Sequence, residues 1–173
     1  MPDEASFDRE QVLSYINQAL GHGIPHAAAL GIRARDCGPG WALLELPWAD
    51  KLVGNPDTGV LHGGAVTSLL DQACGMAIFM KLARPTRIAT LDLRIDYLAA
   101  AEAQRPLLAR AECYRMARHV AFVRAEAYHE GPHAQVAASV ATFMIFGEGR
   151  SPIAEAIEDV RREQPVDQRQ RKP

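Results

Sequence analysis

The spacing of apolar and polar residues divides the chain into a helix, two strands, one apolar helix and four further strands. In FDREQVLSYINQAL, residues 7–20, Phe7, Val12, Tyr15, Ile16, Ala19 and Leu20 recur near helical spacing, with Ser6 as a cap and Gly21 and Gly23 as stops. His22–Ala29 reads as a turn-rich link around Pro25. Leu30–Arg35 and Trp41–Trp48 read as strands about a Cys37-Gly38-Pro39-Gly40 turn. Residues 50–61, DKLVGNPDTGVL, form an irregular loop of a length that is often functional. Residues 62–82, HGGAVTSLLDQACGMAIFMKL, suffice for about five helical turns and are apolar on nearly every face, which predicts a buried helix. After Arg84-Pro85 the period changes to two. Ile88–Tyr97, Pro106–Met116, Val120–Tyr128 and Gln135–Phe146 are the strands, with turns at Ala117-Arg118-His119 and Glu130-Gly131-Pro132-His133.

This order implies an α+β domain, a curved antiparallel sheet wrapped around a long central helix over about 63–82. Residues 1–23 form an N-terminal helical extension, 24–147 the main domain, and 148–173 a flexible tail that begins with a short helix. The composition suits a protein with a proper core, 48% hydrophobic and 23% charged. A net charge of −2 offers no basic field for a nucleic-acid backbone. No apolar run reaches the ~18 residues of a membrane span. The acidic opening MPDEASFDREQ is unlike a signal peptide. Cys37, Cys74 and Cys113 are odd in number and form no CxxC pair, which argues against disulfides and structural zinc and fits a reducing cytoplasm.

The chemistry concentrates in the apolar helix. Gly64, Thr67, Ser68, Asp71 and Gly75 share one small or polar stripe. An unpaired buried carboxylate costs several kcal/mol, so Asp71 needs a role. Either it bonds back to Ser68 or meets an arginine, or it faces a cleft as base or nucleophile. His62-Gly63-Gly64 supplies unobstructed amides at the positive end of the helix, suited to a developing oxyanion. Gly64 and Asp71 are roughly 10 Å apart along the axis at ~1.5 Å per residue. Amide and carboxylate on one chain therefore struggle to reach one carbonyl carbon, and two antiparallel copies would solve this.

GVLHGGAVTSLLDQACGMA resembles the motif of hotdog-fold thioesterases of the phenylacetate-degradation (PaaI-like) type, with LGIRARDCGPGWALLELPW before it and ATLDLRIDYLAAA after it. The resemblance covers most of residues 24–147. It implies a hotdog fold and hydrolysis of an acyl-CoA thioester, without a cofactor, by a homodimer or a dimer of dimers. On that resemblance Asp71 is the general base or nucleophile, and the Gly63 amide of the opposite subunit polarises the carbonyl. His62 places the thioester or leaving thiolate, Asn55 positions water or substrate, and Thr90 orients the attacking water. Gly64 and Ser68 line the substrate site. Arg115, Arg118 and His119 flank a turn suited to CoA phosphates, with Ala117 where the family often has glycine. Met76, Phe79, Met80 and residues 50–60 are candidates to line the acyl pocket.

Other chemistries fit less well. The pairs His22/His26 and His129/His133 sit among glycine and proline, without a carboxylate or cysteine at ligand spacing, so no metal site is expected. Ser68 lacks a G-x-S-x-G context, and Cys74 reads as packing. The competing readings are an enoyl-CoA hydratase of the same fold and a non-catalytic acyl-CoA-binding or sensing domain.

Overall fold

In the structure, a computed structural model, residues 9–82, 86–130 and 135–148 are described. Helix α1 (Arg9–Gln18) buries Val12 and Ile16 and runs into a π-turn over Ala19–Gly23. The link after it is not merely a turn, because it contains a second helix, α2 (Pro25–Leu30). Pro25 fits the first helical turn, where its missing N–H costs nothing, and Gly31 ends the helix at φ 75°. Strand β1 (Arg33–Gly38) starts later than its pattern suggests and continues through Cys37-Gly38. The turn to β2 (Trp41–Leu46) is therefore Pro39-Gly40 alone, with Gly40 at φ 78°.

The loop over 50–61 holds a 3-10 turn (Asp50–Leu52) and a small hairpin of β3 (Val53–Asn55) and β4 (Val60–Leu61). Helix α3 (Gly63–Lys81) follows, then β5 (Thr86–Tyr97), β6 (Leu107–Met116), β7 (Val120–Tyr128) and β8 (Gln135–Glu148). The long strands run in the order β1-β2-β6-β7-β8-β5, every neighbouring pair antiparallel. This is the hotdog architecture. Ser6, Phe7, the Gly131-Pro132-His133 turn and the tail helix lie outside the described residues. No described helix is long and apolar enough to cross a membrane.

The inner face of the sheet explains how closely it wraps α3. Ala42, Ala109, Ala111, Ala121, Ala125, Ala127, Ala137 and Ala141 are all buried there. Small side chains let the strands approach, while Leu69, Leu70, Met76 and Ile78 of the helix supply the volume. Full burial of each such side chain is worth about 1.5–3 kcal/mol. His129, also buried, belongs to this framework. It accepts the Glu102 N–H at Nε2 (2.9 Å) and meets the Pro106 carbonyl at Nδ1 (2.8 Å), so its proton lies on Nδ1.

The two edges of the sheet are treated differently. On β1, the Asn17 side chain donates to the Ala34 carbonyl (3.0 Å) and accepts the Ala34 N–H (2.7 Å). One amide of α1 thus stands in for a neighbouring strand and blocks that edge. Strand β5 ends the sheet on the other side, with Leu91 and Tyr97 54% and 53% exposed.

Candidate active site

The site begins where the hairpin hands the chain to α3. The His62 N–H donates to the Leu52 carbonyl (2.8 Å), and His62 caps the helix by accepting the Gly64 N–H at Nδ1 (2.9 Å). That acceptor role puts the imidazole proton on Nε2. Gly54 makes the close passage possible, since a Cβ there would lie 2.8 Å from the His62 Cα. Sequence reasoning passed over Gly54, whose only signal is a glycine inside a strand-like VGN. Gly64, expected to bind substrate, has its amide committed to His62. Gly63 keeps an N–H with no partner among the described residues, as the first amides of a helix do.

The polar stripe of α3 is half-buried, and each of its groups has a defined contact. Thr67 Oγ1 donates to the Gly63 carbonyl (3.0 Å), and Ser68 Oγ to the Gly64 carbonyl (2.9 Å). Among the described residues, Asp71 neither bonds back to Ser68 nor meets an arginine. Its Oδ1 accepts the hydroxyl of Thr90, on β5, at 2.8 Å. The structure thus brings Asp71 and Thr90 together. His26, discounted with His22 as a metal pair, reaches the site from α2, its Nε2 3.1 Å from Ser68 Oγ. The Ser68 proton goes to Gly64, so the His26 ring is the donor in that contact. No spacing in the sequence signals this contact, because 42 positions separate the two residues.

Burial pushes the Cys74 thiol up to about 12, and the Asp71 charge pushes the same way. A thiol so protonated is packing rather than a nucleophile. Met76, Phe79 and Met80 are buried in the chain's own core.

Other expected contributors lie apart. The Asn55 side-chain oxygen is engaged inside its own loop, accepting the Asp57 N–H at 2.9 Å. Arg115, Arg118 and His119 are exposed around the β6–β7 turn. That turn lies at the C-terminal end of α3, where Lys81 Nζ donates to the Cys113 carbonyl (2.6 Å), roughly 27 Å of helix from Gly63. One chain does not bring these three residues beside Gly63. Gly63 and Asp71 themselves are roughly 12 Å apart along α3.

The family model of the thioesterase superfamily matches residues 58–135. The medium/long-chain acyl-CoA thioesterase YigI of Escherichia coli K12 is 28% identical over 149 residues, 79% of this chain and 95% of the relative. A crystal structure of a Pseudomonas aeruginosa protein is 35% identical, with a TM-score of 0.68 over 77% of this chain and 98% of that one. A mutant of the phenylacetic acid degradation protein PaaI from Thermus thermophilus is 27% identical, with a TM-score of 0.61 over 69% and 97%.

Proposed function

Because the chain belongs to the thioesterase superfamily, we propose that it hydrolyses acyl-CoA thioesters to the free acid and CoA. The observation that carries this reading is a carboxylate held by Thr90 on the same helix that opens with a Gly63 amide free of any partner among the described residues. Asp71, as general base, takes a proton from water, which adds to the thioester carbonyl carbon; attack by the carboxylate itself is the covalent variant. Thr90 fixes the carboxylate and orients the water. The Gly63 N–H holds the oxyanion, and His62, with its proton on Nε2, places the thioester and the departing thiolate. Collapse of the tetrahedral intermediate breaks the C–S bond, and the proton held by Asp71 goes to the thiolate.

The distance between Gly63 and Asp71 supports a site completed by a second copy. The open edge of β5, against the blocked edge of β1, is where two antiparallel copies pair. Each copy then gives its Gly63 amide to the other's Asp71. The β6–β7 turn, with Arg115, Arg118 and His119, meets the CoA phosphates, and Asn55 and Ser68 lie along the substrate path. Light scattering on the purified protein tests the dimer, and a monomer that is fully active ends the shared-site reading.

The activity is tested by release of free CoA thiol from aromatic and straight-chain acyl-CoAs, with wild type beside Asp71→Asn. Turnover that falls by about 10² or more in the variant is expected. Binding of acyl-CoA without turnover by wild type overturns the proposal in favour of a binding domain.

A further inference from the structure

The Gly63-Gly64 pair is the most pliable dipeptide in the chain and stands where an amide must point in one direction. The peptide before Gly63 is fixed by the His62 carbonyl, which accepts the Ala65 N–H at 2.9 Å. The peptide after it is fixed on both sides. Its N–H goes to His62 Nδ1, and its carbonyl accepts Thr67 Oγ1 (3.0 Å) and Tyr97 Oη (2.9 Å). The two hydroxyls also lie 2.8 Å from each other. Two protons serve these three contacts, so every arrangement leaves at least one hydroxyl donating to the Gly63 carbonyl. His62 and Thr67 are local to the helix start. Tyr97 comes from 34 positions away and ties that peptide to the sheet.

The strand that provides Tyr97 is also the one that provides Thr90. They are seven positions apart, an odd number, which in a regular strand puts side chains on opposite faces. A β-bulge between Thr90 and Asp92 removes the conflict, since Thr90 pairs with Phe143 and Asp92 with the adjacent Thr142. Leu91 is the extra residue and is exposed. Beyond the bulge the inward parity shifts to Leu93 and Ile95, and Tyr97 arrives on the helix side with Thr90.

Resting on the thioesterase reading, we propose that Tyr97, together with Thr67, is a positioning residue that fixes the peptide after Gly63 and so anchors, from its C-terminal side, the glycine whose N–H is the oxyanion donor, with β5 holding both this anchor and the carboxylate in register. Neither hydroxyl touches substrate in this role. The pair acts through the backbone, and each partly substitutes for the other.

The test uses the full chain with Tyr97→Phe, Thr67→Val and the double variant, on the best acyl-CoA of the wild-type panel. Each single change is expected to lower kcat by about 3–10-fold with KM within about two-fold, because an interaction felt only in the transition state is loosened. The double variant should lose more than the product of the two single effects, as redundant partners require. Unchanged kcat in the double variant, or a rise in KM alone, overturns the proposal. A second measurement separates it from the activity assignment. The Gly63 and Gly64 amide order parameters should fall from about 0.85 toward 0.6 in the double variant. If wild type shows no turnover, the thioesterase reading fails, and the order parameters alone decide whether Tyr97 and Thr67 fix the peptide. Unchanged order parameters overturn the proposal whatever the activity.

Discussion

Thr90 Oγ1 donates its proton to Asp71 Oδ1 at 2.8 Å, joining the edge strand to the central helix at the one carboxylate on its polar stripe. The bond occupies one oxygen and helps fix the carboxylate, leaving Oδ2, without a partner among the described residues, for water or substrate. Thr90→Val keeps the shape and removes the donor. We expect kcat to fall by about 3–10-fold in that variant, against about 10² or more for Asp71→Asn, in steady-state thiol-release assays. A Thr90→Ser change that retains the hydroxyl should recover most of the rate.

The capping role of His62 predicts an effect on stability as well as on activity. A Cβ on Gly64 would lie 3.0 Å from His62 Nδ1, so Gly64→Ala crowds the imidazole off its cap. Loss of a helix cap costs about 0.5–2 kcal/mol. Gly64→Ala and His62→Ala should each lower Tm by a few degrees, and the double variant should lose little more than His62→Ala alone. Thermal unfolding followed by circular dichroism measures all three.

His129 should behave in the opposite way, important to folding and remote from catalysis. His129→Ala removes a buried imidazole and leaves the Glu102 N–H and the Pro106 carbonyl without their partner. A cost of about 0.5–1.5 kcal/mol for each lost hydrogen bond is expected. The urea midpoint should fall, while kcat per folded molecule stays within about two-fold of wild type. A large loss of kcat with unchanged stability would reverse the assignment.

The buried thiols give the protein an alkaline limit. Burial raises Cys37 to about 11 and Cys74 to about 12, against an ordinary value of 9.0. Folded-state values above the unfolded one leave stability intact below about pH 9 and remove it as pH rises through the folded values. Tm should therefore decline from about pH 9 upward, and less steeply in Cys74→Ala, although that variant starts lower because of its cavity. Native protein should also react slowly with a thiol reagent near pH 8, and at once after unfolding.

Much of this molecule is legible in its residues one after another. Helical spacing and the period of two place α1, α3 and the four long C-terminal strands, because each element has one face that must be buried. The pattern around His62, Gly63 and Asp71 is local to one helix, so its stripe is readable too. The sequence misses α2, where Pro25 starts a helix inside what reads as a turn, and it reads the small hairpin of 53–61 as a featureless loop. Short elements carry too few residues to display a period.

What the tertiary structure alone decides is which distant groups meet. Thr90 reaches Asp71, Tyr97 reaches Gly63, His26 reaches Ser68, and Asn17 closes the edge of β1. Each contact depends on strand register and on where the chain is bent. The bulge at Leu91, which changes the inward parity of β5, leaves no mark in the alternation of TLDLRIDY by itself. A single extra residue in one strand moves every later side chain to the other face. That shift exists only relative to β8, so no reading of β5 alone contains it.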